Sequence, residues 1–180
     1  EKVQPETNRV LPGDKYDAQT AFLQSAQPEA LARTFVSDAG LYGLLRPFDG
    51  VTPYRLEMGA RLAAAGQRDL YGFWGARLAD QLARETEVVV DLASAEYSRA
   101  VVPLLPPSVR VLTCVFGELQ GERVREKGTW CKMARGQMVR YLAENRLTDP
   151  AGLRAFDRLG YRFAPEHSGA DRLVFLRAPA

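Results

Sequence analysis

The feature of this chain that most restricts its fold is an amphipathic helical pattern followed at once by a run of β-branched residues. Over residues 69–85 (DLYGFWGARLADQLARE), apolar residues recur at steps of three and four, and Asp69 stands in the N-cap position. The next segment, EVVVDLAS at 87–94, is too short for a helix and has the composition of a buried strand. A helix that leads directly into a buried strand is typical of α/β proteins.

The rest of the chain continues this alternation. Helices are predicted at 27–40, 94–102, 129–146 and 147–160, the last capped by Thr148 or Asp149 and ended by Gly160. A short strand or turn is predicted at 41–47, a longer strand at 108–119, and a further strand after the turn that contains Gly121. We therefore predict one α/β domain over 13–180, with a mixed β-sheet, flanking helices and a C-terminal β-hairpin, preceded by a tail or linker at 1–12.

The composition excludes several classes of site. His167 is the only histidine and lies in a polar loop, so metal sites built from several histidines are excluded. Cys114 and Cys131 lack the spacing of a metal site and are predicted to be buried, inert thiols. We predict no metal and no cofactor. No apolar run approaches the roughly 18–20 residues that cross a bilayer, so we expect no membrane association, and the cytoplasm is the expected compartment.

Charge is distributed unevenly along the chain. Residues 1–100 hold 11 basic and 14 acidic side chains, a balance of −3, whereas residues 101–180 hold 13 and 8, a balance of +5. A basic half of this kind permits an anionic partner without requiring one. With a single histidine available, any chemistry would depend on carboxylates, arginines, lysines and tyrosines.

The segment TPYRLEMG, residues 52–59, places charged and aromatic residues between two apolar stretches. If the segment is extended, Arg55 and Glu57 lie on one face. Such a pair can simply hold a proline-bounded loop in place, since an exposed ion pair contributes only about 0–1 kcal/mol. Alternatively, together with Arg46 just upstream, it belongs to a binding site. The spacing alone leaves both interpretations open.

The predicted helix at 129–146 has a basic face and a glycine, Gly136, at its centre. Lys132, Arg135 and Arg140 lie on the helix, and Lys127 lies just before it. Glycine within a helix costs about 1 kcal/mol relative to alanine, which suggests that close backbone approach is useful there. The basic face could contact phosphates, although charges at helical spacing more often form an ordinary solvated face.

The end of the strand at 87–94 is a third candidate site. Asp91 ends the strand, and Ser94, Glu96 and Tyr97 open the next helix. Ligands of α/β sheets bind where strand ends open onto helix N-termini. These side chains can equally serve as caps and structural contacts, and the segment lacks a glycine-rich phosphate loop.

Several of these segments together resemble the bacterial YaaA peroxide-stress family. The similarity is carried by GLYGLLRPFDGVTPYRLEMG (40–59), DLYGFWG (69–75), VVVDLASAEYSRAV (88–101), KMARGQMVRYLAENRLTDPAGLRAF (132–156) and the ending GYRF…LVFLR, in the order found in the family. Asp91 stands where the family usually has asparagine, and Met133 replaces the second lysine of a pair. The resemblance implies that about a third of a usual family member, at its N-terminal side, has no counterpart here.

The resemblance implies a mixed α/β fold and a role in the oxidative stress response, limiting damage from peroxide and free iron. It also implies DNA binding through a positively charged cleft, without an established enzymatic activity. On this interpretation Lys127, Lys132, Arg135 and Arg140 contact phosphates, and the cations of residues 46–55 form a facing wall.

An enzyme acting on a small anionic substrate remains the alternative. Arg46, Arg55 and Lys132 would then hold the anion, and Glu57, Glu96 or Tyr97 would transfer a proton. A scaffold that docks on a protein partner is a third possibility with no specific support in the sequence.

Overall fold

The structure is a computed structural model that describes residues 37–46, 49–52 and 54–178. The predicted tail at 1–12 and most of the predicted helix at 27–40 lie outside these residues. The described elements are β1 (Ser37–Ala39), β2 (Gly43–Leu45), α1 (Leu70–Trp74), α2 (Arg77–Glu85), β3 (Val88–Asp91), α3 (Ala95–Val101), β4 (Arg110–Gln120), β5 (Arg123–Arg125), α4 (Gly128–Glu144), β6 (Arg162–Phe163) and β7 (Arg172–Leu176).

The main sheet is mixed, as predicted. Its strand order is β3-β4-β7-β6, and β5 pairs with the far end of β4. β3, β4 and β7 are parallel, whereas β5 and β6 are antiparallel to their neighbours. The predicted C-terminal hairpin is the β6–β7 pair, with a short 3₁₀ turn at Pro165–His167 between the strands. β1 and β2 form a separate antiparallel hairpin.

The larger core lies between the sheet and α4. Alternate residues of β4 point to opposite faces, and the face that carries Cys114 and Phe116 packs against Ala134 and Met138 of α4. Phe116 also stacks on Phe175 of β7 at a ring distance of 5.1 Å. The strand pattern and the helix pattern therefore each supply one apolar face to the same core.

A second core joins the TPYRLEMG segment to the helices that follow it. Met58 is fully buried with Leu70, Leu78 and Val101, which come from three different helices. The turn between β1 and β2 also contacts this region, because the Trp74 indole donates a hydrogen bond to the Gly40 carbonyl at 3.0 Å. The segment 54–59 is thus fixed by packing.

Three helix predictions require correction. Residues 37–39, the end of the helix predicted at 27–40, form β1 and pair with β2. The single helix predicted at 69–85 is interrupted after Trp74, because Gly75 has a positive φ of 51° that an α-helix cannot contain. The predicted N-cap is confirmed, since the Asp69 side chain accepts a hydrogen bond from the Gly72 amide.

The helix predicted at 147–160 is a 3₁₀ helix at Pro150–Ala155 that ends well before Gly160. Asp149 caps it by accepting a hydrogen bond from the Ala151 amide at 2.8 Å. Leu153 and Phe156 are both buried in the larger core, and the tighter 3₁₀ spacing allows both to face it.

Both cysteines are free and buried. Burial, together with the nearby Asp91 carboxylate, raises the pKa of the Cys114 thiol to about 12. The thiol therefore stays protonated at neutral pH, as expected of an inert core cysteine. In the part of the chain that the structure describes, no helix is long and apolar enough to cross a bilayer.

Candidate anion-binding site

A charged cluster lies where the parallel strands β4 and β7 end at the same edge of the sheet. Gly117 and Leu176 are partners in the register, so the next residues, Glu118 and Arg177, emerge side by side. Glu118 continues the core-facing alternation of Cys114 and Phe116, which explains why its side chain is only 2% exposed. The strand pattern thus places an acid at the margin of the core.

Two cations neutralise this buried acid. Glu118 Oε2 lies 2.6 Å from the Lys127 ammonium, and Oε1 lies 2.9 Å from Arg177 Nε, although that guanidinium is not aligned for a hydrogen bond. The hydrogen bond from Lys127 lowers the pKa of Glu118, and the charges of both cations lower it further against the opposing effect of burial. Glu118 is therefore ionised at neutral pH, and the trio carries a net charge of +1.

An aromatic ring covers the buried guanidinium. The Arg177 guanidinium lies 3.8 Å from the centroid of the Trp130 ring, a distance typical of cation–π contact. Arg177 is 8% exposed, whereas Trp130 is 39% exposed. Trp130 therefore covers Arg177 and is itself partly exposed to solvent.

A second ion pair extends the cluster along α4. Arg135 Nη2 lies 3.0 Å from Glu126 Oε1, and the arginine side chain is only 14% exposed. Its Nε is buried and has no hydrogen-bond partner among the residues that the structure describes. Arg135 is therefore held on α4 by its pair with Glu126, with little of its side chain exposed.

Comparison with known proteins identifies the family. The family model described as peroxide stress protein YaaA matches residues 11–167. The chain belongs to the YaaA peroxide stress family. A UPF0246 protein of Lachnoclostridium phytofermentans is 44% identical over 155 residues, which cover 86% of this chain and 61% of that protein.

Two further UPF0246 relatives show the same extent of similarity. The protein of Lactiplantibacillus plantarum is 41% identical over 162 residues, covering 90% of this chain and 65% of its own length. That of Lactobacillus delbrueckii subsp. bulgaricus is 47% identical over 137 residues, covering 76% and 56% respectively. The chain thus spans less than two thirds of the length of these relatives.

In this YaaA-family chain, most of the cations predicted to bind an anion have acidic partners. Besides Lys127 and Arg135, the Arg46 guanidinium lies 3.0 Å from Glu85 of α2. Arg140 lies 2.6 Å from Glu144, which lies one turn further along α4 and also pairs with Arg158. Each of these pairs is formed by groups that the sequence separates by 4 to 39 positions.

The remaining predicted cations are exposed on two different elements. Arg55 lies in the segment 54–59 and forms no ion pair with any residue in the described ranges, and Lys132 is exposed on α4. Ion pairs place Arg46 against α2 and place Lys127 against the β4 end of the sheet. Because these pairs lead to different elements, the convergence of the two regions on one cleft stays a prediction.

Two of the three residues proposed for proton transfer, Glu96 and Tyr97, make structural contacts. Glu96 Oε1 accepts a hydrogen bond from the Gly59 amide at 2.7 Å, and the Glu96 carbonyl accepts one from the Tyr71 hydroxyl. Tyr97 is half-buried against the smaller core. Glu57 is exposed. Glu96 thus ties the end of the TPYRLEMG segment to α3.

The Asp91 side chain at the end of β3 likewise makes local hydrogen bonds. Its carboxylate accepts hydrogen bonds from the Ala93 amide at 3.0 Å and from the Ser98 hydroxyl at 2.7 Å. Ser94 is the N-cap residue of α3, as predicted, but its side chain makes no capping hydrogen bond. Gly136 is buried in α4.

Glu118 and Arg177, which centre the cluster, were not predicted from the sequence. A signal for Glu118 was present, because Cys114, Phe116 and Glu118 alternate along one strand and the first two are apolar. No comparable signal marks Arg177, since its role depends on the pairing of β7 with β4, which are far apart in the chain.

Proposed function

We propose that the chain acts in the peroxide stress response by binding DNA without sequence preference, and that this binding limits damage by peroxide and iron. The binding face runs from the Glu118 cluster along α4 and includes Lys127, Lys132, Arg135 and Arg140. The family supports the stress role, and the basic second half of the chain supports an anionic partner.

One observation carries the proposal. Lys127 and Arg177 share a single buried carboxylate, so the cluster keeps a positive charge even though all three groups are paired. Lys127 is half-exposed, and Trp130, whose ring contacts Arg177, is 39% exposed. A positive charge next to an exposed aromatic ring suits a nucleic acid, which offers both phosphates and bases.

The ion pairs of Arg140 and Arg46 do not prevent phosphate contact. Both pairs are partly exposed, and exposed pairs contribute only about 0–1 kcal/mol. A phosphate can therefore displace or share the cation at low cost. The alternative of an enzyme for a small anion has less support, because Glu96 is already engaged by the Gly59 amide.

Salt dependence of duplex DNA binding tests the proposal. If about three phosphates are contacted, affinity should fall roughly 40-fold between 50 and 200 mM salt, because each contact contributes about −0.9 to the slope of log K against log salt. Fluorescence anisotropy with two duplexes of unrelated sequence would measure this, and the two should bind equally.

The variant Lys132→Gln/Arg140→Gln should weaken binding and reduce the salt slope by about 0.9 for each phosphate that the variant no longer binds. Arg68→Gln/Arg84→Gln removes the same charge from exposed arginines elsewhere and serves as the matched control. Affinity that ignores salt, an absence of binding, or equal weakening in both variants would reject the proposed face.

A further inference from the structure

A second basic surface lies on the hairpin formed by β4 and β5, where Arg125 is the register partner of Glu118 and Arg123 is that of Gln120. It is an open groove of about 430 Å³ lined by Glu122, Arg123, Val124, Arg125, His167 and Arg172. None of these residues takes part in the ion pairs of Glu118. The groove brings together β5, the start of β7 and the 3₁₀ turn before β7.

Two arginines of the groove extend from the same face of β5. Arg123 and Arg125 are two positions apart on β5, so both side chains leave the same face of the strand. Val124 points to the other side and packs close to Gly117 of β4. Both arginines are exposed, and neither forms an ion pair or side-chain hydrogen bond with a residue in the described ranges. They differ in this respect from Arg46 and Arg140.

The opposite side of the groove is fixed by backbone contacts. Arg172 Nη1 donates a hydrogen bond to the His167 carbonyl at 2.9 Å, which orients the guanidinium and leaves its other donors available. The His167 amide in turn donates to the Ala164 carbonyl, which closes the turn. The groove is thus lined by one hydrogen-bonded arginine from the start of β7 and by two exposed arginines from β5.

The net positive charge of the groove favours an anionic ligand. Three arginines and one glutamate line the groove, which leaves a net charge of +2 without counting His167. A further acid, Glu166, adjoins the groove, and its carboxylate lies 3.8 Å from His167 Nε2. Guanidinium groups bind phosphate oxygens in pairs of parallel hydrogen bonds, and three of them around one concave surface suit a phosphate group better than a single carboxylate.

We propose that this groove binds phosphate groups through Arg123, Arg125 and Arg172. The phosphates belong either to a small phosphate ester or to a nucleic-acid backbone, which share the chemistry that the groove recognises. The inference does not depend on DNA binding by the α4 face.

Two probes separate these sources. Inorganic pyrophosphate is titrated by calorimetry and duplex DNA by fluorescence anisotropy, each with the full chain and with Arg123→Gln/Arg125→Gln. The double variant should weaken at least one probe by about tenfold or more, because it removes two guanidinium groups that would each make charge-assisted hydrogen bonds to phosphate oxygens. Arg61→Gln/Arg84→Gln, with the same change in charge, should leave both affinities within about twofold.

Weakening confined to pyrophosphate identifies a small phosphate ligand, and weakening confined to DNA identifies a backbone site; both support the groove. Unchanged affinity for both probes, or equal weakening in the control variant, would overturn it. Arg125→Lys keeps the charge and removes the planar fork, so an intermediate effect is expected there. If the α4 proposal fails but pyrophosphate binding depends on Arg123 and Arg125, only the α4 proposal is rejected.

Discussion

At the scale of single residues, Glu118 is the buried acid that holds the cluster of Lys127 and Arg177 together. It is an acid at the end of an apolar strand face, and the protein tolerates its burial because Lys127 and Arg177 approach from two other elements. A buried charge without such partners is strongly destabilising. The cluster therefore contributes to stability only while all three groups keep their charges.

Replacing Glu118 by glutamine should test this and should reveal a pH dependence. The pKa of Glu118 is lowered in the folded state from the usual 4.5, so its contribution is present above that value and is lost as pH falls below it. At pH 7, Glu118→Gln should lower the melting temperature by several degrees. The difference from the native chain should narrow as pH falls toward 3.

Glu57→Gln, at an exposed acid, is the matched control and should leave the melting temperature nearly unchanged at both pH values. Thermal unfolding followed by circular dichroism measures both variants. A constant difference between Glu118→Gln and the native chain across this pH range would contradict the assigned role.

At the residue level, the sequence predicted the Asp69 and Asp149 caps but not the partners of the charged side chains. Asp69 and Asp149 cap their helices as expected, because capping depends on neighbours within three positions. The partner of Arg46 is 39 positions away, and the partners of Glu118 come from β7 and from the start of α4. Such pairs depend on the tertiary fold, which local spacing does not encode.

At the scale of elements, the β4–β5 hairpin joins the two basic surfaces. Glu118 lies on β4, and Arg123 and Arg125 lie on β5. The two strands approach closely at Gly117, where an added Cβ would lie 2.6 Å from Val124 Cγ1 and 2.9 Å from the Arg125 carbonyl oxygen. The backbone oxygen cannot move aside as a flexible side chain can, so glycine is required there.

Gly117→Ala should therefore displace β5 and destabilise the chain by about 1–3 kcal/mol, the usual cost of forcing extra atoms into a packed site. Gly128→Ala is the control, since a Cβ at Gly128 meets open space in the first turn of α4. It should change stability by less than about 1 kcal/mol, because alanine is the better helix former. Urea unfolding gives both values, and equal stability of the two variants would contradict the requirement for glycine at 117.

Element types were predicted well because their patterns are local and long. The mixed sheet, α4 and the C-terminal hairpin follow from apolar patterns, and α3 follows from its N-cap position at Ser94. The wrong helix predictions lie where one backbone angle or one buried contact determines the type of helix. Gly75 interrupts the helix at 69–85, and burial of Leu153 and Phe156 favours a 3₁₀ helix where an α-helix was predicted.

At the scale of the whole molecule, charge governs binding more than stability. The ion pairs of Arg46, Arg110 and Arg140 are all partly exposed, so each contributes little to folding. The two larger apolar cores described above are buried, and screening of charges by salt affects apolar contacts little. Binding to a polyanion, by contrast, depends steeply on salt.

We therefore expect the melting temperature to change by only a few degrees between 50 and 500 mM sodium chloride, while DNA affinity falls by orders of magnitude. Differential scanning calorimetry at the two salt concentrations measures the first quantity. A melting temperature that fell in parallel with affinity would mean that salt unfolds the chain, and the binding data would then not report phosphate contacts.

The stacking of Trp130 on Arg177 has a practical consequence. The chain has two tryptophans, and the other, Trp74, lies in the smaller core with its indole bonded to the Gly40 carbonyl. Replacing Trp74 by phenylalanine would leave one tryptophan, stacked on the Arg177 that pairs with Glu118. The protein thus carries a built-in optical reporter whose emission would register an arriving polyanion without any attached dye.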